Sequence, residues 1–188
     1  MTKKLLLACG LYLASNIATA VEISGVFVAD EVKTESGQTL LLNGAGLREK
    51  FWVDVYVGSL YLPERSSDVA QILSRPGPLR IQMDFIYKEV SGEKLVDTWR
   101  EGFENNQSEE SLKALQQRID RFYSLFADGV VKGDLYRFDY RPDSGMHVSK
   151  NDAQLGVIPG EDFRNALVEI WLGNKPGDKG LKKELLGL

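Results

Sequence analysis

The stretch that decides the fold runs from Lys50 to Leu62 and reads KFWVDVYVGSLYL. Successive side chains of a β-strand point to opposite faces of its sheet, so this stretch predicts one long strand with two different faces. The odd-numbered face is apolar near its start and is predicted to meet a core. The even-numbered face mixes aromatic side chains with Asp54 and is predicted to meet solvent or a cleft.

Segments on both sides of this strand predict further strands and amphipathic helices. Residues 43–46 (NGAG) are predicted to end the preceding strand, and Ser91 is predicted to begin a helix with apolar side chains at the 3.6-residue period. The predicted strands cover residues 23–28, 38–42, 50–62, 79–85, 130–140, 146–149 and 154–158, and the predicted helices cover 66–73, 91–103, 112–126, 161–172 and 178–185.

Strands in hairpin order, with helices inserted and appended, favour a single α+β domain. Such an arrangement predicts a large antiparallel sheet with the amphipathic helices layered on one face.

Residues 1–20 are expected to lie outside this domain. Two lysines precede a short apolar run that ends in Ala-Thr-Ala at Ala20, the pattern of a secretory signal peptide that is cleaved after Ala20. The run is too short to span a membrane, and no later segment is long and apolar enough. The alternative, a lipoprotein site at Cys9, would leave a shorter apolar run than signal peptides usually have. We therefore predict a periplasmic or secreted domain of residues 21–188.

The composition excludes several classes of chemistry. The chain has 188 residues with one Cys and one His, which excludes a Cys/His zinc site and a disulfide framework. A formal net charge of −4 and an isoelectric point near 5.2 argue against a nucleic-acid partner. His147 is interpreted as a surface or hydrogen-bonded residue. We predict no metal and no cofactor.

Arg48 is the most informative polar residue because it closely follows the glycines of residues 43–46. Glycines permit a positive φ and a close approach of another group. One interpretation is a tight hairpin with an exposed Arg48. The other is a guanidinium facing a cleft, where it binds a carboxylate or stabilises an oxyanion.

Tyr56 shares the parity of Arg48 and can place a hydroxyl in the same cleft. Eight residues of straight strand span roughly 26 Å. The two side chains therefore reach one ligand only if the chain folds back near Glu49 and Lys50, or if the ligand is long.

Three stretches of the chain together carry a resemblance to a known family. They are residues 42–51 (LNGAGLREKF), residues 55–62 (VYVGSLYL), and residues 158–163 (IPGEDF) leading into residues 170–176 (IWLGNKP). In their order and spacing they resemble the chalcone isomerase-like family, in its bacterial exported branch. The resemblance extends over nearly all of the predicted domain and implies an open-faced β-sandwich, a large antiparallel sheet with helices layered on it.

The resemblance also implies roles for individual residues. The family contains plant enzymes that close the flavanone ring and fatty-acid-binding proteins without this activity. Arg48 matches the Arg that polarises the enzymes' substrate, and Arg48 with Tyr56 matches the pair that holds the carboxylate in the fatty-acid-binding members. The enzymes use a Tyr and an Asn on a helix after the central strand, where this chain has Ser91 and Thr98.

The residues and the resemblance together predict a non-catalytic binding protein for a small apolar acid, such as a fatty acid. The ligand would lie in a cleft between the sheet and the helices, with its carboxylate on Arg48. The predicted ligand-binding residues are Arg48, Trp52, Tyr56, Leu60 and Trp99. Two alternatives stay open: an isomerase of the chalcone isomerase type that acts through Arg48 and Tyr56, and an accessory or scaffold protein of the cell envelope.

Overall fold

The computed structural model describes residues 20–75 and 77–188. The predicted signal peptide and the alternative lipoprotein site at Cys9 lie outside the described residues, except that Ala20 begins the first strand. The described strands are β1 (Ala20–Ile23), β2 (Val26–Ala29), β3 (Glu31–Lys33), β4 (Thr39–Lys50), β5 (Val53–Leu62), β6 (Leu79–Phe85), β7 (Glu89–Val90), β8 (Val130–Val131), β9 (Leu135–Arg141), β10 (Gly145–Lys150) and β11 (Ala153–Ile158). The described helices are α1 (Val69–Ser74), α2 (Gly92–Asn106), α3 (Glu109–Ser124), α4 (Glu161–Leu172) and α5 (Lys179–Leu185).

A seven-stranded antiparallel sheet organises the molecule. Its strand order is β11-β10-β9-β6-β5-β4-β3, with β5 and β6 near the middle. The predicted α+β fold with a large antiparallel sheet and layered helices is therefore confirmed. Within the described residues, no helix has the length and apolar character needed to cross a membrane.

The predicted starts of α2, α4 and α5 are correct to within one residue, whereas α1 and α3 begin three residues away from the predicted positions 66 and 112. Asp68, Ser91 and Asp178 each accept hydrogen bonds from backbone N–H groups in the first turn of α1, α2 and α5. Such side-chain oxygens pair N–H groups that have no partner within the helix. The predicted strand over residues 130–140 was less accurate, because a turn at 132–134 divides it into β8 and β9.

The main core lies between the sheet and the helices, and it includes the even-numbered face of β5. Tyr56, Leu60 and Leu62 are buried there. The odd-numbered face carries Val57 and Tyr61, which belong to a smaller cluster with Val28 of β2 and Leu40 of β4. The prediction that the odd-numbered face meets a core is thus correct for Val57 and Tyr61, whereas the prediction that the even-numbered face meets solvent or a cleft was wrong beyond Asp54. Both faces are apolar beyond Asp54, and alternation alone does not tell which one the helices cover.

The β4–β5 hairpin also differs from the prediction. Residues 43–46 do not end a strand, because β4 continues through them to Lys50. The turn is formed by Phe51 and Trp52, both with positive φ, at 52° and 65°. Neither residue type favours that conformation, which Asn and Gly adopt most readily.

The glycines of β4 allow α5 to approach the strand closely. A Cβ at Gly44 would lie 2.0 Å from the backbone oxygen of Glu184, and a Cβ at Gly46 would lie 1.7 Å from Oε2 of the same residue. The predicted close approach of another group is thus present, whereas neither glycine needs a positive φ. Helix α5 therefore lies directly against the stretch that leads to Arg48.

Candidate functional site

Arg48 and Tyr56 lie directly opposite each other near the turn of the β4–β5 hairpin. The two residues are register partners across the strands. The chain folds back at Phe51 and Trp52, close to where the sequence required it if Arg48 and Tyr56 were to meet. The sheet thus places a guanidinium-bearing residue beside a phenol-bearing residue.

The Arg48 guanidinium binds a carboxylate of its own chain. Its Nη1 donates to Oδ2 of Asp178 at 3.0 Å and to the backbone oxygen of Glu49 at 2.7 Å. The side chains of Arg48 and Asp178 are 15% and 18% exposed. The other carboxylate oxygen of Asp178 accepts from the backbone N–H groups of Gly180 and Leu181 and so caps α5. One carboxylate therefore fixes both the guanidinium and the start of the last helix.

Tyr56 is buried and hydrogen-bonded below this ion pair. Its hydroxyl oxygen accepts from Nε1 of Trp171 at 3.0 Å. Burial raises the pKa of Tyr56 to about 12, although the nearby positive charge of Arg48 acts in the opposite direction. The hydroxyl is therefore neutral at ordinary pH, and its proton can be donated to an acceptor.

Helix α5 covers the apolar side of this pair. Leu181 and Leu185 are buried. A Cβ at Gly58, two residues after Tyr56, would lie 3.2 Å from Cδ1 of Leu181, so the helix packs on bare backbone there. The sheet surface beside Arg48 and Tyr56 is thus apolar, and leucine side chains of α5 cover it.

The other three predicted ligand-binding residues lie in two different environments. Leu60 and Trp99 are buried in the same core as Tyr56, and the Trp99 ring centroid is 5.4 Å from that of Trp171. Trp52 is 98% exposed at the tip of the hairpin. The structure therefore brings Arg48 and Tyr56 together, places Leu60 and Trp99 among the packed side chains beneath them, and leaves Trp52 outside.

Ser91 and Thr98, at the positions of the enzymes' helix Tyr and Asn, are both exposed on α2. The Ser91 hydroxyl caps the helix, and the Thr98 hydroxyl donates to the backbone oxygen of Lys94 at 2.8 Å. His147 lies half-buried on β10, where its Nε2 is 2.8 Å from the hydroxyl oxygen of Ser144.

Two pockets lie away from Arg48 and Tyr56. A pocket of about 340 Å³ lies near the far end of β5, beside Leu62 and Arg164. A polar pocket of about 280 Å³ is lined by residues of β9 and β10, among them Arg137 and His147. None of the five predicted ligand-binding residues lines either pocket. In the described part of the chain, no group of three or more Asp, Glu, His or Cys side chains is suited to hold a metal ion.

Sequence reasoning missed the partners that organise this site. Asp178 and Trp171 fall within the predicted helices 178–185 and 161–172, but neither was connected to Arg48 or Tyr56. Those contacts join residues 130 and 115 positions apart in the chain. Their local patterns indicate only a cap and an amphipathic helix, so no local signal was available for the pairing.

The chain was compared with family models, solved structures and curated proteins, and the first two comparisons gave matches. The family model described as chalcone isomerase-like matches residues 20–187. A crystal structure of a fatty-acid binding protein from Arabidopsis thaliana matches with a TM-score of 0.58 and 16% sequence identity, covering 83% of this chain and 95% of that chain. At this identity the likeness shows the fold. No curated protein matches the sequence.

Proposed function

The chain belongs to the chalcone isomerase-like family, and from this premise we propose that it is an exported, non-catalytic binding protein for a fatty acid or a similar apolar carboxylate. The ligand's carboxylate binds Arg48 and the Tyr56 hydroxyl near the turn of the β4–β5 hairpin. Its apolar chain lies along the strip of β4 and β5 that α5 covers.

The observation that carries this proposal is the carboxylate already bound to Arg48. Asp178 Oδ2 lies 3.0 Å from Nη1 of Arg48 in a partly buried setting. A guanidinium binds one carboxylate much as it binds another, because the recognition uses charge and planar N–H donors. Arg48 is therefore chemically suited to a fatty-acid carboxylate, which would take the place of Asp178.

Tyr56 supports binding rather than proton transfer. Its pKa of about 12 keeps the phenol protonated at neutral pH, so it is a poor general base and a good neutral donor. The guanidinium of Arg48 and the hydroxyl of Tyr56 together supply donors to two carboxylate oxygens. Ser91 and Thr98, which differ from the enzymes' Tyr and Asn, are exposed and bonded to their own helix.

Helix α5 supplies the movable cover in this proposal. If Asp178 leaves Arg48, its ion pair is lost. Helix α5 is then held by its buried leucines and by two hydrogen bonds at its C-terminal end, where Asn43 Nδ2 donates to the backbone oxygen of Leu185 and the Leu47 N–H donates to Oε2 of Glu184. A short segment at residues 173–178 joins it to α4. An acyl chain replaces those leucine contacts with its own, contributing about 0.8 kcal/mol for each buried CH₂ group.

The printed description of the Arabidopsis structure, a fatty-acid binding protein, is consistent with this ligand class. It concerns that protein, and for this chain the ligand is part of the proposal.

The test is a calorimetric titration of oleate into the chain and into matched arginine variants. Arg48→Gln is expected to weaken binding at least tenfold, because charge-assisted hydrogen bonds contribute roughly 1.5–3 kcal/mol. The control is Arg80→Gln. Arg80 pairs with Asp139 at 2.6 Å, and the two side chains are 15% and 18% exposed, as in the Arg48–Asp178 pair. This control is expected to leave oleate affinity unchanged. If the unaltered chain does not bind oleate, or if both variants bind it equally, the proposal fails.

Export is a separate part of the proposal and has its own test. It is supported by the lysines, the short apolar run and the Ala-Thr-Ala sequence that ends at Ala20. Mass spectrometry of the chain produced in a bacterial host and recovered from the periplasm should give a protein that begins at Val21. Retention of residues 1–20, or a lipid on Cys9, contradicts this part.

A further inference from the structure

A second buried arginine, Arg164, lines a pocket at the end of β5 opposite to Tyr56. The pocket has a volume of about 340 Å³, at the lower end of the roughly 300–1,000 Å³ range of small-molecule sites. We call it the α1–α4 pocket. Its lining includes Leu62, Pro63, Ile72, Pro78, Arg75 and Arg164. Tyr56 and Leu62 are six residues apart on one strand, so this pocket lies roughly 20 Å from the Arg48 site.

Arg164 is the unusual residue of this pocket. It is only 2% exposed and ranks first by volume among the fully buried side chains. Its Nη1 donates to the backbone oxygen of Leu73 and to Oδ1 of Asn165, and its Nη2 donates to the backbone oxygen of Ile72. A guanidinium has five N–H donors. Among the described residues, the N–H of Nε has no hydrogen-bond partner, and one N–H of Nη2 has none either.

The positive charge of Arg164 has no carboxylate partner among the described residues. No ion pair within 4.0 Å involves it, in contrast to Arg48 and Arg80, and the exposed carboxylate of Glu161 acts on it only from a greater distance. The carbonyl groups at the end of α1 and the ring of Tyr140, 5.4 Å from Cζ, offer only partial charges. A buried charge without a counter-ion is costly, and burial accordingly lowers the pKa of the Arg164 guanidinium.

We propose that the α1–α4 pocket binds a small organic acid with one carboxylate and a compact apolar body, and that the carboxylate pairs with the Nε and Nη2 edge of Arg164. Adjacent N–H groups of a guanidinium match the two oxygens of a carboxylate. Leu62, Ile72 and the two prolines supply the apolar contacts. This site is independent of the one proposed at Arg48.

The charge of the pocket favours a monoanion over a phosphate dianion. Arg164 supplies one buried positive charge, and the second cation, Arg75, is already paired with Glu64 at 3.1 Å. Glu64 also lines the pocket. A dianion would leave one negative charge uncompensated next to this carboxylate, whereas a single carboxylate neutralises Arg164.

The test is a titration of the isotopically labelled full chain with sodium octanoate, followed by NMR, with 1-octanol as the uncharged probe of the same length. Octanoate is expected to cause saturable shifts at the Nε–H signal of Arg164 and at backbone amides that line the pocket. Octanol is expected to bind at least tenfold more weakly. Equal binding of the two probes would overturn the proposal, because the charge of Arg164 would then play no part.

Variants locate the binding without relying on the loss of Arg164. A Cβ at Gly77 would lie 3.7 Å from Cγ of Pro63, an ordinary contact, so Gly77→Leu fills the pocket beside Pro63 without a clash at its Cβ. This variant should lose the saturable shifts at Arg164. Arg164→Lys keeps the charge but loses the adjacent N–H groups of the guanidinium, so it should bind octanoate at least tenfold more weakly. The control Arg118→Lys should bind octanoate as the unaltered chain does.

Arg48→Gln separates this site from the site of the proposed function. The octanoate shifts at Arg164 should be the same in that variant as in the unaltered chain. Unchanged octanoate binding in Gly77→Leu would overturn the α1–α4 site while leaving the Arg48 site untouched.

Discussion

Two arginines at opposite ends of the helix-covered sheet differ in which groups bind their guanidinium. Arg48 is partly exposed and bonded to the carboxylate of Asp178. Arg164 is almost fully buried and bonded to backbone carbonyls and to Asn165. The first guanidinium has a charged partner that another carboxylate can replace. The second is anchored by neutral groups and retains unpaired N–H groups beside a pocket.

The difference between the two arginines shows that the kind of hydrogen-bond partner and the degree of burial indicate different roles, one in binding and one in stability. The Arg48–Asp178 pair keeps some contact with solvent, which reduces its contribution to stability, and its carboxylate can be exchanged for that of a ligand. A buried guanidinium that pairs two helix-end carbonyls contributes to the fold itself. The predictions below test whether the two arginines differ in this way.

Removing Arg164 should have the largest effect on stability. Arg164→Ala leaves a cavity and unpairs the backbone oxygens of Ile72 and Leu73, so we expect a loss of about 3 kcal/mol in the free energy of unfolding. Arg48→Ala should cost less, about 1–2 kcal/mol, because its ion pair keeps some contact with solvent. Urea denaturation measures both values. Equal losses would remove the distinction between the two arginines.

Tyr56 gives the Arg48 end a pH dependence that can be measured. Its pKa rises from 10.0 in the unfolded chain to about 12 in the folded one. The folded state thus binds this proton more tightly, and the resulting stability is present below pH 10 and is lost as the pH rises from 10 to 12. The contribution is about 3 kcal/mol at most.

Tyr56→Phe is therefore expected to lose less unfolding free energy between pH 10 and 12 than the unaltered chain. Tyr123 and Tyr136 also have pKa values of about 12, so the difference between the two proteins is the quantity to be read. Parallel pH profiles of unfolding free energy would show that the Tyr56 hydroxyl is not buried in solution.

Gly44→Ala should act specifically on the Arg48 end by displacing α5. The added Cβ would meet the backbone oxygen of Glu184 at 2.0 Å, and a backbone atom cannot rotate away. We expect a loss of about 1–2 kcal/mol and a more exposed Arg48. At Gly46 the carboxylate of Glu184 can turn aside, but the Cβ of Glu184, 2.6 Å from the added Cβ, cannot, so Gly46→Ala should also displace α5. Denaturation combined with hydrogen exchange of the α5 amides checks both variants.

The fold class and most helix starts could be predicted because they depend on local signals. Periodicity showed the strands and the amphipathic helices, and the predicted starts of α2, α4 and α5 are correct to within one residue. The hairpin turn was missed because Phe51 and Trp52 adopt positive φ values that their side chains do not indicate. The glycines that were interpreted as a turn serve instead to admit α5.

The candidate site could be predicted only in part. Arg48 and Tyr56 were selected from the resemblance and from parity, and the structure places them side by side. Asp178 and Trp171 were missed as their partners because the contacts are long-range. Arg164 was overlooked because a single arginine in an amphipathic helix carries no sign of being buried.

In the proposed function, a ligand carboxylate takes the place of Asp178 on Arg48. The oleate affinity of the Asp178→Asn variant measures this replacement. Asn caps helices about as well as Asp, so α5 should persist while the competing negative charge is removed. The account predicts that Asp178→Asn binds oleate more tightly than the unaltered chain, whereas the matched Asp139→Asn, which removes the carboxylate from Arg80, does not. Weaker or unchanged oleate binding by Asp178→Asn would contradict it.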